Sequence, residues 1–306
     1  MTSWSWTGHG RWEHIENTAL TGYVRPMQFP DSVAAERSWR RDVWPGIHWI
    51  QECGGHRAGI ARAVLESGAD WYRPENELYV PQNAYLLTGE RALLWDTLSP
   101  ASGHILLPAL EELLEGRPLD YLALSHPDVP HAGNTMQVLR RYPDCRLVAP
   151  ATGETHALYH LDDAMKVGPG DEIDLGGLRV RFPEATFLDA AIHTWMSEET
   201  TRTLFTVDWM GFPHQSGESL RRTDEIDTAV DVGRLEEFHS RVMFWFQYVV
   251  PEKVTAATDA LAAQFAGYGL APAHGLPIPG ADAAPYYERM NEVVRRVAAG
   301  GRGGVL

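Results

Sequence analysis

Leu119–Gly133 reads LDYLALSHPDVPHAG, and the fold is decided in this stretch. Leu119–Leu124 is a short apolar run with the pattern of a buried strand. It leads directly into His126-Pro127-Asp128-Val129-Pro130-His131. Residues two apart on an extended segment point the same way, so the spacing aims His126 and Asp128 at one metal ion. His131 lies where the chain turns into the next helix, within reach of a second ion.

On the N-terminal side, Asn83–Thr88 and Arg91–Asp96 are apolar runs separated by Gly89-Glu90, a hairpin signal. Gly46–Gln51 reads as a further strand, and Ala58–Ser67 and Ile105–Leu114 read as helices. On the C-terminal side the pattern predicts a helix at Thr135–Arg141, a strand at Arg146–Ala149 and a helix at Thr152–Leu161. Glu172–Pro183 carries a Gly176-Gly177 turn between two short strands, and Thr201–Val207 is a strand ending at Asp208. Helices are expected at Leu235–Tyr248, at Glu252–Phe265 after Pro251, and at Ala284–Ala298, with a strand at Leu270–Pro272. Strands alternating with helices argue an α/β fold, two layers of sheet covered by helices. Residues 1–42 have scattered aromatics without a period and read as an extension packed on a main domain at 43–299. The glycine-rich residues 300–306 read as a flexible tail.

Composition narrows the function classes. The chain has 306 residues, 44% hydrophobic, enough for a large core. Its formal net charge of −15 disfavours nucleic acid and anionic membrane surfaces as partners. The longest uncharged apolar run, near Val242–Val250, is far short of the roughly 20 residues of a membrane span. No basic-then-apolar leader opens the chain, so a cytoplasmic location is expected. Cys53 and Cys145, the two cysteines, form no disulfide framework or zinc cluster and read as small buried apolar residues. P-loop, dinucleotide and nucleophile-elbow motifs are absent.

The metal reading rests on position. A lone His at a strand end is more often a hydrogen-bonded structural residue than a ligand. Here His193 follows Leu188–Ile192, taken as a strand, Asp208 follows Leu204–Val207, and His274 follows Leu270–Pro272. Loops beyond strand ends are where α/β folds build sites. Several loops each supplying one or two ligands is how a scaffold assembles a buried dinuclear centre. His9, His14, His48, His56, His104, His156, His160 and His239 read as structural. His214 reads equally as a proton-delivery residue or as a polar residue at the site mouth, and Trp195 or Trp209 as core or as pocket wall.

The order of these residues resembles the metallo-β-lactamase fold superfamily, and within it the flavodiiron proteins. Asn83–Leu87 (NAYLL) with Ala92–Thr97 (ALLWDT) is similar to the family's first hairpin. His126–Gly133 (HPDVPHAG) resembles its metal loop, and His193–Met196 (HTWM), Leu204–His214 (LFTVDWMGFPH) and Leu270–Leu276 (LAPAHGL) resemble its later segments. The resemblance runs from about Val43 to about Ala298 and implies an αββα sandwich, here with an N-terminal extension. It implies that His126, Asp128 and His193 bind a first metal, that His131 and His274 bind a second, and that Asp208 bridges. Two His and a carboxylate per ion is a set known from non-haem iron chemistry. Asp128, where zinc hydrolases of the superfamily usually carry His, tilts the expectation to two iron ions, with zinc as the alternative.

Two departures matter. The family's metal-loop aspartate is Pro130 here, which cannot ligate, so the second metal lacks a carboxylate. Flavodiiron proteins continue into a flavodoxin domain, whereas only residues 300–306 follow the last helix here, so an external reductase is expected. Together these give an O2-activating diiron monooxygenase hydroxylating a bulky, largely apolar small molecule, as in natural-product (antibiotic) biosynthesis. The alternatives are a zinc-dependent hydrolase of thioesterase or lactonase type and a flavin-free diiron protein that binds O2 or NO.

Overall fold

The computed structural model describes residues 3–7, 11–15, 39–53, 68–73, 75, 78–151, 164–189 and 191–301. The chain divides into two compact units, Met1–Arg37 and Ser38–Leu306. The first contains an antiparallel ribbon of β1 (Ser3–Thr7) and β2 (Arg11–Ile15). In the second, β3 (Arg40–Trp44) begins in the last residues of the stretch read from sequence as the extension and crosses its boundary at 42, and it pairs antiparallel with β4 (Ile47–Glu52).

The larger sheet has seven strands. After β3 and β4 and a two-residue β5 (Leu78–Tyr79) come β6 (Gln82–Thr88), β7 (Ala92–Trp95), β8 (Tyr121–Ala123), β9 (Arg146–Pro150) and β10 (Met165–Val167). Their spatial order is β10-β9-β8-β7-β6-β4-β3. The expected hairpin is present: β6 and β7 pair antiparallel, with Leu87 opposite Leu93. β7, β8, β9 and β10 then run parallel, joined by crossovers. The smaller sheet holds β11 (Glu172–Asp174), β12 (Arg179–Arg181), β13 (Met196–Glu198), β14 (Thr203–Val207) and, beyond the short β15 (His214–Gln215), β16 (Gly269–Pro272). Its order is β11-β12-β13-β14-β16, with β14 and β16 parallel.

Strand alternation explains the layering. On β6, Tyr85 and Leu87 join one apolar cluster with Phe205 and Val207 of β14, and Tyr85 meets Phe205 edge-on at 5.2 Å between the sheets. Ala84 and Leu86 point the other way, into a second cluster with Leu106, Leu110 and Val138. Those last residues belong to helices α1 (Gly103–Leu114) and, after the one-turn α2 (Val129–Ala132), α3 (Thr135–Arg141). Helices α4 (Val232–Val242), α5 (Pro251–Gln264) and α6 (Ala283–Gly301) contribute Leu235, Leu261 and Met290 to the same apolar cluster as Tyr85. The result is the expected sandwich, helices outside two facing sheets. Central strands covered on both faces read as unbroken apolar runs, which is why β7 is buried at all four positions.

Three expectations change. The described residues among 188–192 (188, 189, 191 and 192) lie in no strand; His193 instead precedes β13. The helix expected at 235–248 stops at Val242 and continues, after Met243, as a 3₁₀ segment at Phe244–Tyr248. The last helix runs to Gly301, into the segment read as a tail. The helices expected at 58–67 and 152–161, and residues 302–306, lie outside the described residues. Among the described residues no helix is long and apolar enough to cross a membrane.

Candidate metal centre

The centre is built where β8, β14 and β16 end. Beyond β8 the chain leaves the sheet at Ser125 and places His126 in the interior, 1% exposed. Asp128 then opens α2, its carbonyl accepting from the N–H groups of His131 (3.0 Å) and Ala132 (2.9 Å). Pro130 sits in the first turn, where its missing N–H costs nothing and its fixed φ suits the helix. That turn swings His131 inward, where it is 1% exposed. Its carbonyl accepts from Thr97 N–H at 2.6 Å and Thr97 Oγ1 at 2.9 Å.

Asp208 follows β14 across a strained corner. Val207 (φ 55°) and Met210 (φ 66°) both adopt the left-handed region. For a β-branched residue such as Val207 this costs on the order of 1–3 kcal/mol, strain of the kind that gathers at functional sites. The corner is held by Ala273 N–H, which donates to Val207 O at 2.6 Å. His274 follows β16, its loop tied down by Asn83, whose side-chain amide donates to Pro272 O (2.8 Å) and Gly275 O (2.7 Å). The His193 loop is tied to the His126 loop by Thr194 N–H donating to Ser125 O at 2.9 Å.

Five of the six residues singled out from sequence converge. His131 Nε2 lies 3.5 Å from Asp208 Oδ2, and His274 Nε2 lies 3.2 Å from Asp208 Oδ1. His126 Nε2 lies 3.6 Å from Asp208 Oδ2. The His126 and His193 rings stack at 4.9 Å. Asp128 is the outlier. Its Oδ2 is 3.8 Å from His126 Nε2, but the side chain is 61% exposed. Sequence reasoning missed Asp189, whose Oδ2 lies 3.5 Å from His126 Nε2 and whose Oδ1 lies 3.1 Å from His193 Nδ1. The D-x-x-x-H spacing of Asp189 and His193 was its only trace. Two groups therefore suit a metal ion: His126, His131 and Asp208, and His126, Asp189 and His193.

The outward ring nitrogens are fixed from behind. His131 Nδ1 is 2.9 Å from Asp96 Oδ2, so Nδ1–H donates to the carboxylate and Nε2 is left to face Asp208. Asp96 is fully buried, also accepts from Ser125 N–H (2.8 Å) and Ser125 Oγ (2.9 Å), and itself lies at φ 62°. His274 Nδ1–H donates to Pro81 O at 2.7 Å. This pattern of a ring N–H given to an oxygen, with the other nitrogen presented inward, is that of metal-ligating histidines.

Electrostatics are those of a ligand set holding protons. Burial by itself lowers the His126 imidazole, but Asp189, Asp208 and Asp96 outweigh it and raise it to about 9. His274 is raised because Asp208 outweighs burial. His131 is lowered by burial and by His126. Asp189 and Asp208 are held well below the usual carboxylate range by the surrounding histidines, despite burial.

The residues fit a metal pair on a second ground. His126 Nε2, His193 Nδ1 and Nε2, Asp189 Oδ1 and Asp208 Oδ2 are buried with no hydrogen-bond partner among the described residues. His126 Nε2 is 3.5–3.6 Å from Asp189 and Asp208, too far for a hydrogen bond, and Asp189 Oδ1 and His193 Nδ1 make none although 3.1 Å apart. Ligand atoms about 2.0–2.2 Å from a common ion lie roughly that far apart.

Other readings resolve toward structure. Trp195 and Trp209 are fully buried and stack at 5.5 Å, and Phe187 covers Trp209 at 5.1 Å, so both are core. His214 is buried edge-on to Tyr79, pushed down to about 3 by burial and Arg234. His239 Nδ1–H donates to Leu235 O at 2.7 Å and Nε2 accepts from Met210 N–H at 3.2 Å, a structural role. Cys53 and Cys145 are buried.

Residues 79–216 match the Metallo-beta-lactamase superfamily. A nitric oxide reductase of Moorella thermoacetica is 24% identical over 200 residues, 63% of this chain and 48% of the relative. A rubredoxin-oxygen oxidoreductase of Megalodesulfovibrio gigas is 24% identical over 207 residues, 65% of this chain and 50% of the relative. The chain thus spans about half the length of these curated relatives. A solved flavodiiron protein from Giardia intestinalis matches with a TM-score of 0.60 at 15% identity, covering 88% of this chain and 61% of that one, a likeness of fold.

Proposed function

We propose that this chain, a metallo-β-lactamase domain of the flavodiiron-like branch, is an oxidoreductase that holds two iron ions and reduces O2 or NO with electrons from a separate donor. The observation that carries the reading is the cluster of orphaned, buried ligand atoms on His126, His193, Asp189 and Asp208. Imidazole and carboxylate together suit iron, and the pairing of both with a bridging Asp208 suits a dinuclear centre. Iron held there supplies electrons singly and a binding position for a small diatomic.

The chain's own residues do the rest. Asp208 presents Oδ1 to His274 and Oδ2 to both His126 and His131, so it faces both sets of ligands. Asp96 and the Pro81 carbonyl keep protons on the outer nitrogens of His131 and His274, holding the inner nitrogens ready to ligate. Burial of His126, His131 and Asp208 keeps bulk water from the centre. The names of the relatives supply the substrate class, NO in one and O2 in the other, and rubredoxin names a protein electron donor. We carry these over as a protein donor and a diatomic acceptor.

Hydroxylation of a bulky apolar substrate draws no support from the site. The tryptophans that were candidates for a pocket wall are stacked in the core. A test loads metal-free protein anaerobically with Fe(II) or with Zn(II) and adds a chemical reductant. O2 and NO consumption is then followed by electrode. The iron form is expected to consume one or both and the zinc form neither. Reductant-independent cleavage of a thioester or lactone by the zinc form, with no gas consumed by the iron form, would replace the reading by the hydrolase.

A further inference from the structure

We propose that Asp189 is a ligand of the first metal ion and takes the carboxylate role that the metal-loop pattern gives to Asp128. This rests on the reading of His126, His193 and Asp208 as metal-holding, and it concerns which carboxylate completes that set.

Three observations separate the two aspartates. Asp189 is 13% exposed at its side chain, whereas Asp128 is 61% exposed. An exposed carboxylate is satisfied by water, while a buried one needs a partner. The two oxygens of Asp189 divide between the two rings, Oδ2 at 3.5 Å from His126 Nε2 and Oδ1 at 3.1 Å from His193 Nδ1. Asp128 reaches His126 alone, at 3.8 Å. Finally, Asp189 Oδ1 and both nitrogens of His193 are buried without a hydrogen bond among the described residues. A carboxylate that merely oriented His193 would accept from it, as Asp96 does from His131 at 2.9 Å. Asp189 Oδ1 and His193 Nδ1, 3.1 Å apart, make no such bond, and with His126 they form a group that could hold one ion.

The local backbone accounts for the exchange. Asp128 caps α2 with its carbonyl, and its side chain makes no cap hydrogen bond and turns outward. Residues 188, 189, 191 and 192 lie in no strand, and Asp189 lies against His193, four residues on. The first ion then sees His126, His193, Asp189 and Asp208. The second sees His131, His274 and Asp208, with Pro130 adding nothing.

The test asks for direct coordination. Asp189→Cys and Asp128→Cys are prepared metal-free and titrated with Co(II) under nitrogen. A thiolate bound to Co(II) gives an intense near-ultraviolet charge-transfer band, which a residue acting through a neighbour does not. The band is expected in Asp189→Cys and absent from Asp128→Cys and from the parent protein. A band in Asp128→Cys, or none in a folded Asp189→Cys that still takes up cobalt, overturns the proposal. Should Asp189→Cys not fold, the exposed Asp128 carries the test through Asp128→Asn. Unchanged Co(II) affinity in that variant supports the proposal, and weakening by about tenfold or more overturns it. A parent protein that binds no Co(II) removes the metal centre itself. O2 or NO consumption enters none of these outcomes, so a failure of the reductase reading stays separate.

Discussion

Asp96 Oδ2 accepts a hydrogen bond from His131 Nδ1 at 2.9 Å, from a carboxylate that is fully buried. The same carboxylate accepts from the N–H and Oγ of Ser125, so its oxygens serve three donors and none is spare. An amide in its place must turn an NH2 toward one of those donors. Asp96→Asn is therefore expected to favour the wrong tautomer of His131, with the proton on Nε2. Affinity for the second ion should fall about 10–100-fold, with the first ion retained. Stepwise metal titration followed by elemental analysis measures this, and equal weakening of both ions would contradict it.

Gly133→Ala tests how the metal loop is seated. A Cβ on Gly133 would lie 2.5 Å from Pro100 Cδ and 2.7 Å from both Leu98 O and Pro100 N. Two of these are backbone atoms, and Leu98 is already in the left-handed region at φ 59°. The close approach, not a special φ, requires glycine, since Gly133 itself is right-handed helical. Overpacking of this kind costs about 1–3 kcal/mol. Urea unfolding of the metal-free protein should show that loss. A lowered metal content should accompany it, because α2 carries His131.

The two sheets were legible because their strands stand out as short apolar runs and their turns carry glycine, as Gly89 and Gly176-Gly177 show. His126, His131, Asp208 and His274 were legible because each follows a recognisable strand. Asp189 was hidden for the converse reason. It lies in an irregular loop, where no periodicity relates one side chain to another. Alternation does not bring Asp128 inward, because it fixes direction only while the chain stays extended. Here the extended segment ends at Asp128 as α2 begins, and the cap position carries the side chain outward. Asp96 stood in a quoted motif, but its role depends on the left-handed turn that brings it under His131.

His239 gives a pH dependence apart from the ligands. Burial pulls its imidazole from the ordinary 6.5 down to about 4, against the raising effects of the Leu235 carbonyl and Asp208. The unfolded chain thus takes up the proton first as pH falls. The stability contribution is whole above about 6.5 and is lost between there and about 4, a difference of roughly 3 kcal/mol. His239→Gln cannot charge, yet its amide can replace both hydrogen bonds. Metal-free parent and variant, unfolded by urea at pH 7 and pH 4.5, should show the smaller acid loss in the variant. Equal losses would mean that His239 titrates normally.

Metal removal should proceed in two steps. On the assignment proposed above, His126, His193, Asp189 and Asp208 would hold the first ion, and His131, His274 and Asp208 the second. Pro130 supplies no donor where the resembled motif has an aspartate. Each ligand lost opens a position to water and to competing chelators, so the second ion should leave first. Stepwise EDTA dialysis of the iron-loaded protein, with iron assayed at each stage, should show a plateau at one ion per chain. His131→Ala should start at that plateau. Asp208→Ala should weaken both ions, because Asp208 Oδ2 lies 3.6 Å from His126 of the first set and 3.5 Å from His131 of the second. Pro130→Asp should shift the second release to higher chelator concentration. If His131→Ala lost both ions, or kept both, the division of ligands between the two sites would be wrong.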